Sequence, residues 1–148
     1  MLLYSSNPLS GEGWPVAAFS EIGTRLAHNL NARIIAADEP SDDTFTESLG
    51  SLLPSGSIKL AKPRALELVA AIARSSLVIT DDSGLANLAF EFNTPVVEIS
   101  DKVRAEASSG GRRIPQGASR RRVTTDEVFD LACEMIQESR SASLFKRP

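Results

Sequence analysis

Two carboxylates, a hydroxyl and a glycine stand together at Asp81-Asp82-Ser83-Gly84. An apolar run, Leu77-Val78-Ile79-Thr80, precedes them, and the small-residue stretch Leu85-Ala86-Asn87-Leu88-Ala89-Phe90 follows. The run reads as a buried strand and the stretch as a helix; Asn93-Thr94-Pro95 then leads into a second buried strand, Val96-Val97-Glu98-Ile99. In a strand–turn–helix–strand unit the turn lies at the carboxyl end of the sheet and at the helix N-terminus, where ligands usually bind. Ser83 is the expected N-cap, and Gly84, lacking a side chain, permits close approach of a ligand or backbone. An ordinary capped helix is the alternative to a ligand contact here. Asp81 and Asp82 place two negative charges beside a helix end whose dipole otherwise favours an anion.

Little else in the chain has the residue types for catalysis. His28 is the single histidine and falls on the polar side of a helix, so neither a Ser/His/Asp triad nor a histidine metal cluster is available. Cys133 is the single cysteine and lies within a helical pattern; an internal disulfide and a cysteine metal cage are excluded. No catalytic residue, metal site or cofactor is expected. Arg112, Arg113, Arg120, Arg121 and Arg122 follow Ser108-Ser109-Gly110-Gly111 with no acid between them. They read as a solvated loop, with an anion site at Arg112 and Arg113 as the alternative, because guanidinium forks match phosphate or carboxylate. Trp14 reads as core or a loop anchor.

The elements that must position these residues alternate along the chain. Leu2-Leu3-Tyr4 starts a strand, and Asn7 to Gly13 has loop residues. Pro15 opens a helix whose Phe19, Ile22, Leu26 and Leu30 form one apolar stripe. Ala32 to Ala37 reads as the second strand, Asp38 to Thr44 as an acidic loop, Phe45 to Leu53 as a weak helix and Gly56 to Leu60 as the third strand. A helix spans about Pro63 to Arg74, with Leu66, Val69, Ala70 and Ala73 on one face. After the second buried strand, Thr124 and Glu127 make a capping box, and Val128, Leu131, Ala132, Met135 and Ile136 make the last helical stripe.

With 148 residues the chain is about one domain, large enough for a real core. Alternating strands and helices require a parallel sheet covered on both faces, and right-handed crossovers leave few topologies. The expected fold is α/β: one Rossmann-like three-layer domain with a mostly parallel sheet of about five strands in the order 3-2-1-4-5. That domain spans residues 1–138, followed by a flexible tail over 139–148. In this order the loop Asn7–Gly13 faces the turn Asp81–Gly84. A net charge of −3 and a pI near 5.2 argue against a nucleic-acid partner, which calls for a basic face. No apolar run reaches the ~18 residues of a transmembrane segment. Met1 to Tyr4 turns polar at Ser5 without the pattern of a signal peptide, so the expected location is cytoplasmic.

The run from Lys62 to Ile99 resembles the C-terminal, nucleotide-sugar-binding domain of the heptosyltransferase-like glycosyltransferases, family 9 of the GT-B class. That family has D-[ST]-G-x-x-H opening a helix and then a Gly-x-Pro-Val-Val strand. Asp82-Ser83-Gly84 and Pro95-Val96-Val97 match these. Trp14-Pro15 matches the end of the family's K-x-W-P loop, and Val123 to Val128 the start of its last helix. The resemblance implies a nucleotide-sugar partner (an ADP-, UDP- or GDP-sugar), with Asp82, Ser83, Gly84, Asn87, Glu12 and Trp14 at the donor site. It also implies that the acceptor site and catalytic base lie on an N-terminal-type domain or partner chain, so the isolated chain is expected to be inactive. The departures fall on the charged positions: Glu12 stands where the family has lysine, Asn87 where it has histidine, and Asp81 where it often has asparagine. Charges about 4 Å apart interact by ~1–4 kcal/mol, so these exchanges weaken diphosphate binding.

Three readings follow. One is a glycosyltransferase-like nucleotide-sugar-binding domain, and another is a non-catalytic descendant of that fold binding a different ligand or a protein. The third is a small enzyme resembling the nucleoside deoxyribosyltransferases, which also place D-S-G before a helix. That family carries a nucleophilic glutamate soon after the glycine; Leu85 to Phe90 contains none, and Glu91 comes late.

Overall fold

A computed structural model describes residues 1–6, 13–40, 42–99, 104–106, 112–113 and 123–144, of which 104–106, 112–113 and 142–144 are described by backbone alone. In chain order the elements are β1 (Leu2–Tyr4), α1 (Val16–Leu30), β2 (Ile35–Ala37), α2 (Thr44–Leu49), β3 (Ile58–Leu60) and α3 (Ala65–Ala73). There follow β4 (Val78–Thr80), α4 (Ser83–Glu91), β5 (Val96–Glu98), β6 (Arg104–Glu106), β7 (Arg112–Arg113) and α5 (Thr125–Leu144).

The sheet runs β3-β2-β1-β4-β5-β6-β7. Its first five strands are parallel, in the expected order 3-2-1-4-5, and helices cover both faces. β1, β4 and β5 are short, buried throughout and apolar without alternation, as suits burial on both sides; β3, Ile58-Lys59-Leu60, is the largely exposed edge. Beyond β5 the direction changes: β6 and β7 pair antiparallel, Val97 opposite Ala105 and Ala105 opposite Arg112. Arg112 and Arg113, expected in a loop, thus stand in a strand; alternating charged residues hide a short edge ladder from pattern reading. Arg120, Arg121 and Arg122 lie outside the described residues, as do Ser108-Ser109-Gly110-Gly111.

Against one face pack α1, α2 and α5, with Phe19, Ile22, Leu26, Leu131 and Ile136 buried beside Leu3, Ile79 and Val97. Burying each such side chain contributes about 1.5–3 kcal/mol. Phe19 meets Trp14 and Phe45 edge-on, with ring centroids 4.9 and 5.0 Å apart. Gly23 faces this core because a Cβ there would come within 3.1 Å of Leu3 Cδ1. The α5 capping box forms as its sequence implies: Thr124 N–H donates to Glu127 Oε2 (2.9 Å) and Glu127 N–H to Thr124 Oγ1 (3.3 Å).

α3 and α4 pack on the other face, against Leu2, Tyr4, Ala37, Val78 and Val96. On α3 the expected face is reversed. Leu68 and Ile72 are buried, whereas Leu66 is 82% exposed and Ala70 and Ala73 are also exposed. The sequence of α3 is apolar nearly all round, so two stripes satisfied the same periodicity, and packing chose the other. The last helix also exceeds expectation: the segment from Ser139, read as a tail, stays helical to Leu144. A helix already nucleated by packing adds further residues at little cost.

Candidate functional site

The strand ends set the site. In register, Tyr4 of β1 lies beside Thr80 of β4, and Thr80 beside Glu98 of β5. Neighbours across parallel strands point to the same face, so these three polar side chains form one row at the carboxyl end of the sheet, on the α4 side. All are buried. Thr80 Oγ1 accepts from Asp82 N–H (3.0 Å), and Glu98 Oε1 accepts from the Ser83 hydroxyl (2.6 Å). Thr80 and Glu98 thereby hold the β4–α4 turn from below.

Asp82 itself, and not Ser83, caps α4: its Oδ1 accepts from Leu85 N–H at 2.7 Å, and its backbone is extended (φ −104°, ψ 115°). Both residue types cap helices well; the Ser83 hydroxyl is committed instead to Glu98. Gly84 makes room for this cap, since a Cβ there would stand 3.1 Å from Asp82 Oδ1. Ser83, Gly84 and Asn87 are exposed on the first turns of α4.

Asp81 ties the central strands together. Its Oδ2 accepts from the Ser5 hydroxyl (2.9 Å), just beyond β1, and from Trp14 N–H (3.1 Å). Its Oδ1 is enclosed without a hydrogen-bond partner. Burial raises its pKa above the usual carboxylate value, and the two hydrogen bonds offset this only in part. The Trp14 ring is turned into the core, with Nε1–H donating to Val123 O (3.1 Å). Trp14 therefore joins the start of α1, the approach to α5 and the β4–α4 turn. The rest of the loop, Asn7 to Glu12, is outside the described residues, so Glu12 is too; for Arg112 and Arg113 only the strand is described.

The structure thus gathers Asp82, Ser83, Gly84 and Asn87 at one helix start and brings the Trp14 backbone beside them. It adds Tyr4, Thr80 and Glu98, which the sequence reading passed over. A signal existed for Glu98, an acid closing the otherwise apolar run Pro95 to Ile99. Among the described residues, no group of three His, Cys, Asp or Glu side chains could hold a metal ion, and no helix is long and apolar enough to cross a membrane.

Solved structures share this arrangement of strands and helices. E. coli ADP-heptose lps heptosyltransferase II superposes with a TM-score of 0.73 at 17% identity, over 95% of this chain and 47% of that one. What is shared is the fold. The family 9 glycosyl transferase from Veillonella parvula matches with a TM-score of 0.69 at 16% identity (93% and 46% of the two chains). UDP-GlcNAc 2-epimerase from Neisseria meningitidis, bound to UDP-GlcNAc, matches at 0.61 and 12% identity (92% and 36%). The chain spans less than half the length of each of these proteins. No family model and no curated protein matches the sequence.

Proposed function

We propose that this chain is a nucleotide-sugar-binding domain of the glycosyltransferase-like type, which works together with a second domain or chain that supplies an acceptor site and a base. The observation that carries this reading is the coincidence of Asp82-Ser83-Gly84 with the start of α4, at the carboxyl end of a sheet ordered as in the heptosyltransferase-type proteins. Between β1 and β4 the chain reverses its direction of winding, and ligands of open α/β sheets bind at such a reversal. The donor site in this reading comprises Asp82, Ser83, Gly84, Asn87 and Glu12, with Trp14 holding the loop that carries Glu12. Arg112 and Arg113 are the cations offered for an anionic ligand group. Alone, the chain transfers no sugar, because transfer needs a base and an acceptor within hydrogen-bond reach.

One observation favours the second reading, a descendant of the fold with a different ligand: three carboxylates, Asp81, Asp82 and Glu98, surround the α4 start. A double variant separates the two. Glu12→Lys and Asn87→His together should tighten nucleotide-sugar binding by at least ~1.4 kcal/mol, about tenfold, visible as a ligand-dependent rise in Tm. Gly84→Val in that background should abolish the gain. A folded double variant with no shift for any ADP-, UDP- or GDP-sugar favours the descendant reading.

A further inference from the structure

Of the three polar side chains in the row beneath the β4–α4 turn, two are committed to that turn: Thr80 to Asp82 N–H and Glu98 to the Ser83 hydroxyl. Tyr4 is not. Its ring is buried, 5% exposed, among Leu68, Ile72, Leu85 and Ala89. No hydrogen bond of the Tyr4 hydroxyl occurs among the described residues. Yet Asp81 Oδ1 alone among them is enclosed without a partner. The Tyr4 hydroxyl therefore has no hydrogen-bond partner among the described residues and is not fully enclosed by them, at the end of the central strand where the candidate site lies. Its ring is fixed by apolar neighbours while its hydroxyl stays free to take a hydrogen-bond partner from outside the described residues.

We propose that the Tyr4 hydroxyl is a ligand-binding group which donates a hydrogen bond to an uncharged, hydroxyl-bearing ring, a sugar, seated at the start of α4. This rests on the nucleotide-sugar reading and assigns the sugar, rather than the diphosphate, to the β1–β4 junction. Charge selects that part of the ligand. Burial first, and then the charges of Asp82, Glu39, Asp38 and Asp81 in decreasing order, hold the phenol protonated well above the usual tyrosine range. The neutral phenol thus keeps its proton to donate to a ligand oxygen. The same carboxylates repel phosphate, whereas sugar hydroxyls can donate to them and accept from Tyr4 at once. Asp82 spends Oδ1 on the helix cap and makes no further hydrogen bond among the described residues, so its second oxygen is available.

Tyr4→Phe removes the hydroxyl and nothing else, and the loss of an unpartnered group should leave Tm unchanged or slightly higher. Calorimetric titration would use UDP-N-acetylglucosamine, ADP-glucose, GDP-mannose, free N-acetylglucosamine, uridine and pyrophosphate. The sugar-bearing ligand that binds the native chain should bind Tyr4→Phe about tenfold more weakly, and pyrophosphate should not distinguish the two proteins. Because Tyr4 is the only tyrosine, saturation should also perturb its absorbance in the native chain, a readout independent of the variant. Equal sugar binding by both proteins, or an equal loss of pyrophosphate binding, overturns the assignment of Tyr4 while leaving the nucleotide-sugar reading intact. Binding of the free sugar but of no nucleotide sugar, with the expected loss in Tyr4→Phe, supports Tyr4 and removes that reading. No binding of any probe to the native chain removes both.

Discussion

The two faces of the sheet are built differently. Towards α1, α2 and α5 the strands present Leu3, Ala36, Ile79 and Val97, under a cluster that holds Trp14, Phe19 and Phe45. Towards α3 and α4 they end in Tyr4, Thr80 and Glu98, under helices that contribute Leu68, Leu85, Ala86 and Ala89. Bulk and aromatic contacts lie on the first face, and polar strand ends and small residues on the second. Large side chains stabilise a fold and leave no room beside them. Small ones with buried polar groups let a helix start sit close to the strand ends and keep it accessible. In the proposed reading, stability rests mainly on one face and ligand chemistry on the other.

Substitution on each face should break this contrast if it is mistaken. Phe19→Ala should cost about 3–5 kcal/mol, read by chemical denaturation, because Phe19 is fully buried between two rings. Asp82→Ala should cost only ~1 kcal/mol, the worth of a helix cap, and should remove ligand binding even so. A smaller loss for Phe19→Ala than for Asp82→Ala would contradict the division.

The smallest effect is electrostatic and sharpens the contrast. Asp81 has a carboxyl pKa raised above its ordinary 3.8, burial being the main cause. Its stabilising contribution is therefore complete below the unfolded-state pKa and is lost as pH rises through the folded one. Asp81→Asn keeps an oxygen for Ser5 and Trp14 N–H and removes the charge. The variant should melt above the native chain at pH 7, with the difference shrinking towards pH ~4. A Tm difference independent of pH would show that Asp81 is not the titrating group. Trp14 fluorescence follows the same junction, since Trp14 is the only tryptophan and bonds Asp81 through its backbone.

The five parallel strands and their order were legible because the central strands are apolar runs bounded by turn residues, the edge strand Ile58–Leu60 follows the turn residues Pro54 to Gly56, and crossover handedness leaves few ways to arrange them. The β4–α4 turn was legible for the same reason: its polar residues interrupt a buried pattern. The buried face of α3 was not, since Ala65 to Ala73 offers two equivalent apolar stripes and tertiary packing selects between them. Asp82 rather than Ser83 as the cap was also hidden, because the choice depends on Glu98, which lies 15 residues away and takes the Ser83 hydroxyl. The row Tyr4–Thr80–Glu98 exists only once strand order and register are known together. Single-residue signals at strand ends do not reveal it.

The most direct measurement is amide chemical-shift mapping of the isotopically labelled chain during titration with UDP-N-acetylglucosamine, ADP-glucose and GDP-mannose in turn. At least one of these should shift the amides of Tyr4, Ser83, Gly84, Leu85 and Asn87, while Leu26, Val128 and Met135 between α1 and α5 stay in place. Shifts centred on the α1–α5 side, or no saturable shift with any of the three, would contradict a nucleotide-sugar site at the start of α4.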